Sequence, residues 1–281
     1  MFRGFVVTLL LCAVTCVSYS QAPRARRAKQ PDAAAERAAL QAQLSRKTPS
    51  QTATSTCSYI FTTGSGQKYL QTCVTVNGNI VEFQTPSGAE HIRVGAYGEG
   101  YGICDTYSTV RYYDYADYGD TGNWAAPVTL SSTATSVKIQ RTTGDGAFTL
   151  TQTIAQSSSG TLKITMALKN NIGIKLNVVL VRWADIDANN TFVNNFDSTH
   201  TGVVADVSAQ SGMSMQNVPP WTYLSGSFVT SLDGNLDPCI LNSVGVSSPE
   251  LSYDGGGAVA YYLPGIGPGS TKTVSLLYSG R

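Results

Sequence analysis

From Phe148 to Lys169 the chain alternates apolar and polar residues with a period of two. In Phe148-Thr149-Leu150-Thr151-Gln152-Thr153-Ile154 one face is mostly apolar and the other is all threonine. Leu162, Ile164, Met166 and Leu168 then share a face, with Lys163, Thr165 and Lys169 opposite. Successive side chains of a strand point to opposite faces, so this pattern puts one face on a core and the other in water, as in half-buried antiparallel strands. Ile174 to Trp183 follows and is apolar on both faces over Val178 to Val181, which predicts a central strand.

The same reading extends along the chain. Lys68 to Val76 and Ile80 to Pro86 flank Asn77-Gly78, a strong hairpin signal. Glu90 to Ala96, Ser136 to Thr143, Val203 to Ala209, Ser227 to Ser231, Ala258 to Leu263 and Thr271 to Ser279 are further strands. About a dozen strands, Pro and Gly in the connections, and no helical pattern after residue 57 predict an all-β fold, an antiparallel β-sandwich. No repeat of fixed period occurs, which argues against a propeller or solenoid.

The first 56 residues differ in kind. Residues 1–20 have a short positive start at Arg3, an apolar run from Phe5 to Val17, and the small-x-small triplet Ser18-Tyr19-Ser20. That is the pattern of a signal peptide, and it predicts a secreted or periplasmic product. The run is too short to span a bilayer comfortably, and no later stretch is longer, so no transmembrane segment is expected in the mature chain. Residues 21–56 carry seven basic residues (Arg24, Arg26, Arg27, Lys29, Arg37, Arg46, Lys47) against Asp32 and Glu36, with almost no large apolar side chains. Such a segment cannot bury enough surface to offset chain entropy and reads as a disordered basic linker. Residues 57–281 form the β-sandwich domain, with 11 basic and 16 acidic residues. The linker's charges are not interleaved with aromatics, so nucleic-acid recognition is not expected.

Four cysteines remain after the signal: Cys57, Cys73, Cys104 and Cys239. In an oxidising compartment an even count implies disulfides. Cys57 and Cys73 are equidistant from Ser65. A three-residue loop there would pair Phe61 with Tyr69, Tyr59 with Gln71, and Cys57 with Cys73. This favours Cys57–Cys73, leaving Cys104–Cys239 by elimination. No CxxC or CxH spacing supports zinc.

Two stretches can carry chemistry. Arg182-Trp183-Ala184-Asp185-Ile186-Asp187-Ala188-Asn189-Asn190, followed by Asn194, Asn195 and Asp197, offers oxygen ligands at alternate positions. Asp185, Asp187, Asn189 and Asp197 are the candidate ligands of a calcium ion, although Asn190 and Phe196 stand where an EF-hand needs its glycine and its glutamate. Asp185 and Asp187 also share a strand face, about 6.5–7 Å apart, a spacing at which carboxylates can act as acid and base on a glycosidic bond. The competing reading is an Asn/Asp-rich loop bonding its own backbone. The second stretch, residues 97–124, combines glycines, seven tyrosines, a tryptophan and several carboxylates. Tyr97, Glu99, Tyr101, Asp105, Tyr113, Asp114 and Trp124 are the candidate sugar-binding set, because rings stack on sugars while acids take their hydroxyls. Equally, these tyrosines can be ordinary strand residues. No G-x-S-x-G, P-loop or dinucleotide fingerprint is present, and neither His91 nor His200 has an indicated nucleophile partner.

The chain resembles a group of uncharacterised secreted bacterial β-sandwich proteins. The resemblance rests on Cys57-Ser58-Tyr59, Glu99-Gly100-Tyr101-Gly102-Ile103-Cys104-Asp105, Gly122-Asn123-Trp124, Thr149 to Ile154, Val181 to Asn189 and Asn195-Phe196-Asp197-Ser198-Thr199. It implies a compartment and a bacterial source, and no activity. Phe148 to Asp187 is also faintly similar to sugar-handling supersandwich domains, in which a strand ending in Lys-Asn (Lys169-Asn170 here) precedes a strand entering the site. The histidines and acids of mutarotases are not matched there. The expectation is a non-catalytic binding or envelope-interaction domain, with carbohydrate or a cell-envelope component as partner. A carbohydrate-active enzyme using Asp185 or Asp187, and a structural surface domain with a calcium-binding loop, are the alternatives.

Overall fold

The computed structural model describes residues 55–93, 98–208, 211–232, 236–240 and 249–281. The signal peptide, nearly all of the linker, and Tyr97 lie outside the described residues. Seventeen strands run through the described part: β1 (Tyr59–Thr63), β2 (Leu70–Val74), β3 (Ile80–Gln84), β4 (Glu99–Asp105), β5 (Arg111–Asp114), β6 (Val128–Ser132), β7 (Ser136–Thr142), β8 (Phe148–Gln156), β9 (Thr161–Asn170), β10 (Leu176–Asp185), β11 (Asn194–Thr199), β12 (Gly202–Ser208), β13 (Ser211–Asn217), β14 (Leu224–Ser231), β15 (Glu250–Tyr253), β16 (Gly255–Ile266) and β17 (Thr271–Gly280). The only helical elements among the described residues are three short 3-10 turns, so none is long and apolar enough to cross a membrane.

The strands form three antiparallel sheets: β1-β2-β3, β14-β16-β10-β4-β5, and β15-β11-β12-β13-β17-β9-β8-β7-β6. The alternation in β8 and β9 appears as expected, with Leu150, Ile154, Leu162, Ile164, Met166 and Leu168 fully buried. They share one core with Phe61, Leu70, Ile80 and Phe83 of the three-stranded sheet and Ile103, Val178 and Leu180 of the five-stranded sheet. Burying each large apolar side chain in such a core stabilises by roughly 1.5–3 kcal/mol. β10 is central in its sheet, paired with β16 on one side and β4 on the other. Its second face, with Val181 and Trp183, packs in a smaller cluster with Tyr115, Ala258 and Ala260. This explains why β10 is apolar on both faces.

Both disulfides form as expected, with Cα–Cα distances of 5.6 Å for Cys57–Cys73 and 5.0 Å for Cys104–Cys239. The hairpin drawn around Ser65 is not the observed one. Tyr59 pairs with Val74, Phe61 with Thr72 and Thr63 with Leu70. Gly64 and Gly66 take left-handed φ values of 70° and 59°, and a 3-10 turn at Gly66–Lys68 lengthens the loop. Cys57 then lies before the strand and reaches Cys73 from outside the ladder, next to the Ser58 N–H to Val74 carbonyl bond of 3.0 Å.

Two other expectations change. Glu90 makes only an isolated bridge to Gln84, and residues 91–93 are not strand. Residues 99–114 contain two strands, β4 and β5. Glycines 100 and 102 disguise the first of these. A Cβ on Gly100 would collide with the Asp114 carbonyl and the Asn79 side chain, so close approach of β5 requires glycine there.

Candidate functional site

Five residues of the proposed sugar-facing set are scaffold. Glu99, Tyr101, Asp105, Asp114 and Trp124 are buried. Arg182 clasps Glu99, its Nε donating to Oε1 at 2.5 Å and its Nη2 to Oε2 at 2.7 Å. Tyr278 and the Ile80 amide donate to the same carboxylate. Burial pushes Glu99 above the ordinary range, and the Arg182 charge pulls it back. Arg141 donates to Asp114 at 2.5 Å and to the Tyr101 hydroxyl at 2.9 Å, with its guanidinium 5.0 Å from the centre of the Trp124 ring. Asp105 accepts from Ser108 Oγ and the Tyr107 amide. These side chains are buried and bonded to neighbouring side chains and backbone, so they are turned into the protein and away from solvent. They tie the five-stranded sheet to the other two, because Arg182 also reaches Gln152 of β8 and the Gly78 carbonyl. Tyr113 is half-buried and stacks on Tyr115, centroids 5.2 Å apart.

The acidic stretch after β10 has a different geometry. Asp185 is the last residue of β10, and its N–H donates to the Gly98 carbonyl at 2.8 Å. It follows the parity of Val181 and Trp183, and so emerges beside the aromatic cluster, where the Tyr118 hydroxyl donates to its Oδ2 at 2.9 Å. Tyr118 in turn packs on Trp183, centroids 5.3 Å apart. Two residues on, Asp187 opens the 3-10 turn Ala188–Asn190. Asp254 joins them from far along the chain, between β15 and β16, because Asp185 pairs with Gly256 and Ile186 N–H donates to Gly255. One carboxylate oxygen from each of Asp185, Asp187 and Asp254 lies within 4.8 Å of the other two.

The turn that presents Asp187 is firmly held. Its N–H donates to the His91 carbonyl at 3.0 Å, and the Asn189 N–H donates to His91 Nδ1 at 3.1 Å. Nδ1 is therefore the unprotonated nitrogen, and Nε2–H donates to the Thr85 carbonyl at 2.7 Å. Burial lowers the His91 pKa, consistent with a neutral ring. The histidine is a brace for the turn, with both nitrogens occupied. Asn194 closes the other side, donating to the Ile186 and Thr191 carbonyls. Asn189 and Asn190 sit at left-handed φ values of 57° and 62°, a conformation asparagine tolerates better than most residues.

Asp185 is 3% exposed and Asp187 1%. Yet Asp185 Oδ1 and both oxygens of Asp187 have no hydrogen-bond partner among the described residues. Burial pushes Asp185 up to about 7, opposed by the Tyr118 hydrogen bond and assisted by Asp254. It pushes Asp187 up to about 8, with the charges of Asp185 and Asp254 adding to it. Of the remaining predicted ligands, Asn189 is exposed in the turn and Asp197 is exposed on β11, and Asp197 is outside the three-carboxylate group. Sequence reasoning missed Asp254. Its only local sign is the run Tyr253-Asp254-Gly255-Gly256-Gly257, and the β10–β16 register alone brings it to Asp185.

No protein-family model matches the chain, and no curated protein matches it in sequence. Solved structures do resemble it in fold. A bacterial glucoamylase complexed with acarbose aligns with a TM-score of 0.55 and 11% identity over 83% of this chain, which spans about a third (34%) of the glucoamylase. A putative aldose 1-epimerase from Escherichia coli K12 aligns at TM-score 0.41 and 10% identity over 79% of this chain and 99% of that one. A galactose mutarotase related enzyme from Lactobacillus acidophilus aligns at TM-score 0.42 and 7% identity, over 79% and 97%. At these identities the likeness to the glucoamylase is one of fold: the chain is a β-sandwich of the kind found in part of a sugar-handling enzyme.

Proposed function

We propose that this protein is a secreted, non-catalytic carbohydrate-binding domain, and that the cluster of Asp185, Asp187 and Asp254 at the end of β10 meets the ligand. One observation carries the reading: three carboxylate oxygens on two buried side chains, Asp185 Oδ1 and both oxygens of Asp187, lack a hydrogen-bond partner among the described residues, at a braced chain turn that Asp254 adjoins. An unpaired buried carboxylate is costly unless something satisfies it. Sugar hydroxyls are donors that suit it, and the flanking Tyr118 supplies ring surface. The fold likeness to a glucoamylase complexed with acarbose supports the choice of ligand class. A second reading is favoured by Asp187 itself. Held protonated to about pH 8 beside Asp185, it has the character of a general acid in glycoside hydrolysis.

Calorimetry with a panel of oligosaccharides, together with a product assay, separates the two. The binding reading expects saturable affinity, no turnover, and at least a tenfold loss of affinity in Asp187→Ala. Turnover that Asp187→Asn abolishes while sparing affinity would establish the enzyme instead. No binding to any oligosaccharide at millimolar concentration overturns both.

A further inference from the structure

We infer that Asp185, Asp187 and Asp254 together hold a calcium ion. The inference rests on reading this cluster as the ligand-facing site and adds a cofactor to it. The first argument is a contrast within the molecule. Other buried carboxylates are compensated: Glu99 by Arg182, Asp114 by Arg141, Asp237 by Arg111, and Glu90 by the amides of Phe83, Ile92 and Arg93. Asp187 is as buried as these, and neither of its oxygens meets a donor or a cation among the described residues. Asp185 Oδ1 is in the same condition. Apart from Oδ2 of the half-buried Asp120, the orphaned carboxylate oxygens among the described residues gather at this one turn, and that concentration points to a positive partner.

The second argument is the donor set. The cluster offers oxygen only, since both nitrogens of the neighbouring His91 are engaged with Asn189 and Thr85. Oxygen-only sites select hard cations over zinc or copper. Two oxygens on opposite sides of calcium, each about 2.3–2.6 Å away, stand about 4.6–5.2 Å apart, whereas magnesium at about 2.0–2.1 Å would hold them within about 4.2 Å. The three oxygens lie within 4.8 Å of one another, inside the span calcium allows, and calcium takes carboxylate oxygens in flexible geometry where magnesium demands a near-ideal octahedron. The third argument is rigidity. The carboxylates arrive on two backbone segments, each pinned: the segment of Asp185 and Asp187 by the Gly98 and His91 carbonyls, and the chain after Asp254 by its pairing with β10. Exposed Asp254 leaves an open side, where water or a ligand hydroxyl completes the coordination.

The test uses the full mature chain, stripped with EGTA. Calcium is titrated by calorimetry, and terbium by its luminescence, sensitised through Tyr118 beside Asp185. One calcium per chain is expected, with affinity weakened at least tenfold in Asp187→Asn and in Asp254→Asn. Asp254 is exposed, so that variant remains informative if the buried one misfolds. Asp197→Asn is expected to bind as wild type does, because Asp197 is outside the cluster. Calcium binding without oligosaccharide binding would support the ion and overturn the carbohydrate reading. Oligosaccharide binding that survives in EGTA, with no calcium uptake at millimolar concentration, would overturn the ion and leave that reading standing. Binding lost in Asp197→Asn and retained in Asp254→Asn would place the ion elsewhere and overturn the assignment. Magnesium bound in preference to calcium would also overturn it.

Discussion

Replacing Arg182 by methionine removes the charge that compensates Glu99. Both side chains are fully buried. In the wild type the guanidinium makes two bonds to Glu99, one to Gln152 Oε1 and one to the Gly78 carbonyl. Methionine fills most of the length but makes none of them. At pH 7.5 Glu99 must then stay ionised without its counter-charge or take up a proton. Breaking a buried pair from one side typically costs about 3–5 kcal/mol. For a domain of this size each kcal/mol moves the melting temperature by about 2–4 °C, so a fall of about 6–20 °C is expected.

The loss should depend on pH in a definite direction. Burial already raises Glu99 in the wild type, and Arg182 opposes the rise. Without Arg182 the folded-state pKa climbs further above the unfolded value near 4.5. Between those two values the folded variant holds more protons than the unfolded chain, so its stability falls as pH rises. At pH 4, where Glu99 is mostly protonated in both states, the loss should shrink toward about 1–3 kcal/mol for the orphaned Gln152 and Gly78 oxygens. Adding Glu99→Gln should restore part of the stability at pH 7.5, because the uncompensated charge is gone. Urea unfolding at both pH values measures all of this. A loss under about 1 kcal/mol, an equal loss at pH 4 and 7.5, or a double variant no better than the single one would refute the reasoning.

Two further outcomes follow from the same structure. His91→Phe keeps a ring in the core but leaves the Thr85 carbonyl and the Asn189 amide unpaired. It should cost about 2–4 kcal/mol and weaken any ligand at Asp187, and a loss below about 0.5 kcal/mol in urea unfolding would rule out the brace. The disulfides close chain separations of 135 and 16 residues. Cys104→Ser with Cys239→Ser should therefore destabilise by about 5 kcal/mol and Cys57→Ser with Cys73→Ser by about 3. Thermal unfolding that reversed this order would reject the loop-entropy account.

The pairing of the cysteines was reached through a hairpin register that the fold does not use, whereas the all-β class, the alternating strands β7 to β9, the central β10 and the presence of two disulfides could be read from the chain alone. Each of these is written in local periodicity or in the count of a rare residue, and needs no knowledge of what lies across the core. It also singled out Asp185 and Asp187, whose spacing is local. The rest depends on what packs across the core. The hairpin register depends on left-handed glycines at 64 and 66, and a three-residue loop was the simplest drawing compatible with the cysteines. The aromatic and acidic residues of 97–124 have a composition that fits a binding surface and a buried network equally well. Burial against Arg141, Arg182 and the opposing sheets makes Glu99, Tyr101, Asp114 and Trp124 part of the scaffold, while Tyr107 stays exposed and Tyr118 bonds to Asp185. Asp254 joins Asp185 across 69 residues of chain because antiparallel pairing of β10 with β16 brings the end of one strand to the start of the other. A carboxylate cluster of that kind is a property of strand order, and strand order is not encoded in any local window.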